Sequence, residues 1–174
     1  MLKYPISALM IRLAAVCLLN APLAAGAGEL RVWDGGPTPP LKLRDLHGKV
    51  HDLAVYRGQV VLVNFWATWC EPCRNEMPAI QRLRSKLAGK PFVVLAVNVD
   101  EPQSRIHKFL SNMPLDFPVL ADEGKAVTTA WKVRVLPASF IIGRDGRIRY
   151  SLVGELAWDH QSVVSLLAEL MPQR

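Results

Sequence analysis

The sequence is poor in cysteine. It has three, Cys17, Cys70 and Cys73, and the first lies in an apolar N-terminal stretch. A secreted disulfide framework needs more cysteines, spread further apart, so that class is excluded. A second C-x-x-C is also missing, and with it the usual four-ligand zinc site. His47 and His51 fall in a segment read below as a hairpin and are expected at the surface. No long Lys/Arg run and no basic–aromatic stripe occurs, which argues against nucleic acid as a partner. The net charge of +6 drops to +4 once Lys3 and Arg12 of the N-terminal segment are set aside. There is no internal repeat or low-complexity tract. What remains is a chain of 174 residues, 51% hydrophobic and 21% charged, enough for one well-cored domain with a surplus at one end.

The surplus is residues 1–27. Lys3 and Arg12 make a basic start, Leu13 to Leu19 a short apolar run, and Asn20 and Pro22 break it. Ala25-Gly26-Ala27 offers a small-x-small cleavage site before Gly28. The segment reads as a signal peptide, with an uncleaved membrane anchor as the alternative. Lipid modification of Cys17 fits less well, because Val16 precedes it where a small residue is wanted. In both main readings the folded part is exported, and the expected location is a bacterial periplasm. Such compartments are oxidising.

Residues 28–40, with Gly35, Gly36, Pro37, Pro39 and Pro40, predict a linker or an irregular lead-in. The domain is expected over 41–174. Leu41 to Leu53 alternates apolar and polar around His47-Gly48, a hairpin signal. Val60 to Trp66 is apolar and β-branched apart from Asn64, as in a strand covered on both faces. A helix is predicted from Glu71 to Leu87, with Pro78 expected to kink it. A second buried strand spans Phe92 to Asn98, and a helix spans Gln103 to Leu110. A short extended piece covers Phe117 to Leu120, and a short helix covers Lys125 to Trp131. Ser139 to Ile142 and Ile148 to Leu152 flank an Asp145-Gly146 turn. A last helix runs from His160 to Leu170. Alternating strands and helices argue for a layered α/β domain.

Cys70 and Cys73 sit at the predicted strand-to-helix junction. Positions i and i+3 share a helix face, so the sulfurs can meet. The N-terminal turn favours thiolate over thiol at the first cysteine. Pro72 is tolerated there because first-turn N–H groups have no partner in the helix. Cys70 is then the attacking thiol and Cys73 the resolving one. A structural staple closing so short a loop removes little unfolded-state entropy. Redox exchange is the reading best served by the βα context. Glu71, between the cysteines, opposes the Cys70 thiolate and should raise its pKa, making the pair a weaker oxidant. With Pro72 it forms the tuning dipeptide. As a first-turn carboxylate Glu71 also suits the helix dipole. Glu76 is i+3 from Cys73 and able to share its face. Burial would raise its pKa into the range useful for proton transfer; a solvated helix residue is the plain alternative.

Val61-Leu-Val-Asn-Phe-Trp-Ala-Thr-Trp-Cys-Glu-Pro-Cys73, followed by Glu76 and Pro78, resembles the thioredoxin superfamily and, within it, exported TlpA/ResA-type thiol–disulfide oxidoreductases. A second anchor is Val135-Leu-Pro-Ala-Ser-Phe-Ile-Ile142. The resemblance covers roughly residues 40–172. It implies a thioredoxin-like fold: a central mixed sheet flanked by helices, with an N-terminal β-hairpin extension. It implies that Pro137 is cis and that Leu136 and Pro137 face the cysteines and present backbone to a substrate chain. Trp69 is expected to touch substrate, and Trp66 to be core or a lid beside the site. In thioredoxin the position of Asn64 is a buried Asp that accepts the proton of the resolving cysteine. Asn cannot, and in ResA-like proteins a Glu placed as Glu76 does related work.

The resemblance also implies a direction. Electrons would come from a membrane thiol donor and pass to a client protein disulfide, in apocytochrome c or in a copper-site protein. Ala138 and Ser139 stand where the dedicated cytochrome-maturation subgroup has a Glu, which leaves the client open. No cofactor is implied. A thiol peroxidase-like redoxin and a copper-binding chaperone using the pair as soft thiolates remain as alternatives. The C-x-P-C spacing argues against the first.

Overall fold

The computed structural model describes residues 28–172. The signal peptide or anchor expected over 1–27 lies outside the described residues. Eight strands form one mixed sheet flanked by helices in an α/β, thioredoxin-like arrangement. In chain order they are β1 (Arg31–Val32), β2 (Lys42–Asp45), β3 (Val50–Asp52), β4 (Val60–Trp66), β5 (Phe92–Val99), β6 (Val119–Asp122), β7 (Ala138–Ile142) and β8 (Ile148–Val153). The helices are α1 (Glu71–Lys86), α2 (Gln103–Leu110), α3 (Ala126–Ala130) and α4 (Gln161–Glu169). The spatial order is β1-β8-β7-β4-β5-β6-β2-β3.

β4 is the axis. Every residue of it is buried, as the apolar run requires of a strand covered on both faces. It runs parallel to β5 and antiparallel to β7. Successive side chains of a strand point to opposite faces. Leu62 and Trp66 therefore join the core under α1 and α4, with Met77, Ile80, Leu83 and Leu167. Val61, Val63 and Phe65 join the core on the other face, with Leu95, Trp131 and Phe140. Burying each large side chain stabilises the fold by about 1.5–3 kcal/mol. Asn64 has the parity of Leu62 and Trp66, so the polar residue of β4 is aimed at α1.

Strand direction decides what gathers at each end of the sheet. β4 ends at the cysteines. β7 is antiparallel to it and so begins there, placing Pro137 at the same end. β8 returns antiparallel to β7, and its last residue, Val153, pairs with Ala138 at that end. β1 runs antiparallel to β8, so the chain before Arg31 also lies at the cysteine end.

Three expectations are corrected. Residues 28–40 compose like a linker, yet Arg31–Val32 pairs along β8, Trp33 packs edge-on against Phe140, and Thr38 Oγ1 accepts from Ile148 N–H at 2.9 Å. The free edge of β8 supplies the hydrogen-bonding groups that hold this segment. The extended piece begins at Val119, beyond Pro118, because proline has no N–H for the ladder. His51 is not at the surface. It pairs with Leu43 across the hairpin and is 2% exposed. Its Nε2 lies 2.9 Å from Asp45 Oδ2 and its Nδ1 lies 2.6 Å from the Tyr56 hydroxyl. The 3-10 turn over Leu53–Tyr56 brings that tyrosine ring parallel to the imidazole. α1 continues through Pro78.

Candidate active site

Cys70 is the N-cap of α1, in extended backbone, and its Sγ accepts from Cys73 N–H at 3.3 Å. That bond, and the positive end of the helix, stabilise negative charge on Cys70 sulfur. Cys70 and Cys73 are joined as a disulfide, with their Cα atoms 5.3 Å apart. Both are buried, Cys73 completely. Glu71 and Pro72 occupy the exposed first turn of α1, where a proline costs no hydrogen bond. Trp69, immediately before Cys70, is 64% exposed, whereas Trp66 is in the core against Phe109. The Leu136–Pro137 peptide is cis. Leu136 is half-buried, Pro137 is buried, and Pro137 O accepts from Gly154 N–H at 2.9 Å.

Glu76 is 2% exposed, so a solvated helix residue is the wrong description of it. Three donors converge on its carboxylate. Asn64 Nδ2 donates to Oε1 at 2.7 Å, while Trp158 Nε1 and Leu156 N–H donate to Oε2 at 2.9 and 3.3 Å. No cation is among these partners. Burial pushes the Glu76 carboxyl up to about 7, further raised by the negative charge of Glu155, and the three hydrogen bonds pull back only in part. Asn64 also donates to Ser139 Oγ at 2.9 Å, which ties β4, β7 and α1 together at this point. Its Oδ1 has no partner among the described residues.

A second buried carboxylate, Glu101, holds the loop between β4 and α1. It accepts from Thr68 N–H at 2.6 Å, from Thr68 Oγ1 at 2.5 Å and from Asn98 Nδ2 at 2.8 Å, with Arg105 Nη1 at 3.8 Å. Arg74 Nη1 donates to Thr68 O at 3.1 Å from the other side. Thr68 is thereby fixed two residues before Cys70. Sequence reasoning missed Glu101, and it missed Trp158. The one available signal for Glu101 was its place just past β5, whose end lies beside the end of its parallel neighbour β4.

A disulfide on a helix N-terminus, with a buried, near-neutral carboxyl on the same helix, is suited to thiol–disulfide exchange coupled to proton transfer. The comparisons with known proteins agree. The AhpC/TSA family profile matches residues 35–151. The thiol-disulfide oxidoreductase ResA of Geobacillus thermodenitrificans is 38% identical over 122 residues, 70% of this chain and 70% of that protein. The Bacillus subtilis protein of the same name is 32% identical over 148 residues, 84% of this chain and 83% of that protein. Among solved structures, the pneumococcal exposed lipoprotein thioredoxin of Streptococcus pneumoniae superposes with a TM-score of 0.65 at 25% identity, covering 75% of this chain and 98% of its own.

Proposed function

The chain belongs to the AhpC/TSA family, in the thioredoxin superfamily, and is a ResA-like thiol–disulfide oxidoreductase; from that premise we propose that it works as a reductant of client protein disulfides in the periplasm. The observation that carries this reading is the presence, on one helix, of the Cys70–Cys73 disulfide and the buried Glu76. A cysteine pair able to close into a disulfide and a proton-binding side chain on the same helix suit a cycle of reduction by a donor and reoxidation by a client.

In that cycle the Cys70 thiolate attacks one sulfur of a client disulfide. A Cys70–client bond forms, and the second client sulfur leaves with the electron pair and takes a proton. Cys73 then loses its proton to Glu76, and its thiolate attacks Cys70 sulfur. The Cys70–Cys73 bond forms and the client sulfur departs as thiolate. Two electrons have moved from the pair to the client. Asn64 takes no proton, but rotation of its amide would turn the unpartnered Oδ1 toward a protonated Glu76. Trp69, Leu136 and Pro137 would bind the client chain around the sulfurs. Glu71 and Pro72 would tune the pair, with Glu71 holding the potential down by opposing the thiolate.

The client would be an apocytochrome c or a copper-site protein, and the electrons would come from a membrane thiol donor. Residues 1–27 would direct export, as a cleaved signal peptide or a retained anchor, and the redox domain would include the strap of residues 28–40 that packs on β8. The exposed lipoprotein thioredoxin among the similar structures supports an extracytoplasmic place. A Cys73→Ala chain tests the proposal, because the mixed disulfide on Cys70 then has no resolving thiol. Expressed in cells, it should accumulate disulfide-linked adducts that dithiothreitol releases and that Cys70→Ala abolishes. An adduct-free Cys73→Ala chain would count against a client disulfide.

A further inference from the structure

The edge strand β1 is preceded by Gly28, whose N–H donates to Glu155 O at 2.8 Å. We infer that Gly28 is a positioning residue for the proton site, latching the 153–158 segment that roofs Glu76. This rests on the reading of Glu76 as the proton acceptor, and it concerns the chain that keeps residues 1–27, because cleavage before Gly28 would replace its amide by an ammonium.

The segment from Val153 to Trp158 touches several parts of the site. Gly154 N–H holds Pro137 O, Leu156 N–H and the Trp158 indole hold Glu76 Oε2, and Glu155 O receives Gly28. Fixing Glu155 from outside therefore fixes the residue beside it that donates to Glu76. The fit at Gly28 is close. A Cβ there would collide with Leu152 Cδ1 and sit 3.0 Å from Val153 O and 3.3 Å from Glu155 O. A larger residue would have to displace the Leu152 side chain and crowd both carbonyls, and Gly154, at φ 105°, lies against Gly28 as well. Beyond Gly28, β1, Trp33 and Thr38 hold the strap to β8 and β7, so the latch has a rigid backing.

The groups around Glu76 define what can titrate there. Cys73 shares its helix, and Asn64 of β4 is neutral. Glu155 and the ion-paired Arg82 and Asp159 line the open groove between α1 and the roof. Widening that groove admits water to a carboxyl whose raised pKa comes mainly from burial. Loosening the latch lowers it as long as the Leu156 and Trp158 donors stay on the carboxylate, since burial is the larger contribution. Linkage is reciprocal: if the closed latch favours protonated Glu76, ionised Glu76 must weaken the latch.

The test uses the intact, oxidised 174-residue chain in detergent, so that neither Cys70 nor Cys73 titrates. The Trp158 indole N–H resonance reports the charge of Glu76. Its midpoint should lie at about 7 and vanish in Glu76→Gln. In Gly28→Val the midpoint should fall by about one unit. The unsubstituted chain gives a reading that does not require the variant to fold. Hydrogen exchange at the Gly28 amide should speed up through the Trp158 midpoint by more than the base-catalysed slope. A Gly28 amide that follows only that slope while Trp158 titrates overturns the latch alone. A Trp158 resonance that does not titrate overturns the Glu76 reading and the latch with it.

Discussion

Two buried carboxylates, Asp45 on β2 and Glu76 on α1, end in opposite states. Asp45 is 9% exposed and Glu76 2%. Burial works against charge on both. At Asp45 the His51 side chain, the N–H groups of His47 and Lys49, and the charge of His51 outweigh it and hold the carboxyl below its usual range. At Glu76 the donors are an amide, an indole and one backbone N–H, all neutral, and burial wins. A buried acid held by an imidazole and two backbone N–H groups stays ionised and ties a hairpin down. One held by an amide, an indole and a single backbone N–H keeps a proton within reach near neutral pH. The second kind lies on the helix of the cysteines.

The largest effect that would break this contrast is on stability against pH. Glu76 has a folded pKa of about 7 against an ordinary value of 4.5. The folded state therefore binds the proton more tightly, and stability falls as pH rises from about 4.5 to about 7, by about 3 kcal/mol. Denaturant midpoints across that window should show the slope, and Glu76→Gln should flatten it. Asp45 has the opposite sign. Its lowered pKa contributes stability at neutral pH that is lost as pH falls through the folded value. Asp45→Asn should cost about 2 kcal/mol at neutral pH by weakening the buried histidine's partner. It should leave the pH profile of thiol exchange where it was. A shifted profile in Asp45→Asn would erase the distinction between the two acids.

The smallest effect concerns an exposed carboxylate, Glu71. Glu71→Gln removes the charge that opposes the Cys70 thiolate. The Cys70 pKa should drop slightly and the pair become more oxidising, by about 30 mV or less in equilibrium with glutathione. A shift toward a more reducing pair would reverse the role given to Glu71.

The order of strands and helices is legible in the chain because the buried run of β4 and the apolar stripe of α1 are local patterns. The site is legible where chemistry is contiguous: Cys70, Cys73 and the tryptophan before them. It is illegible where contacts cross the chain. Trp158 reaches Glu76 from 82 positions away, and Thr68 reaches Glu101 from 33. Neither acceptor differs in sequence from a solvated glutamate. His51 was misplaced for a related reason. Alternation assigns polar residues outward, but the parity of β3 points this one inward, and the partners that make burial affordable, Asp45 and Tyr56, lie on either side of it. In the proline-rich lead-in, composition reports the irregular backbone and not the free edge of β8 that receives it.

The central claim is that Glu76 takes the Cys73 proton during exchange. It is tested most directly by stopped-flow reoxidation of the reduced chain with a disulfide peptide, from pH 5 to 9, in the native protein and in Glu76→Gln. The account predicts a native profile with an inflection near 7 and a variant that folds, keeps its Cys70–Cys73 pair and lacks that inflection. An inflection of the same position and amplitude in Glu76→Gln would contradict it.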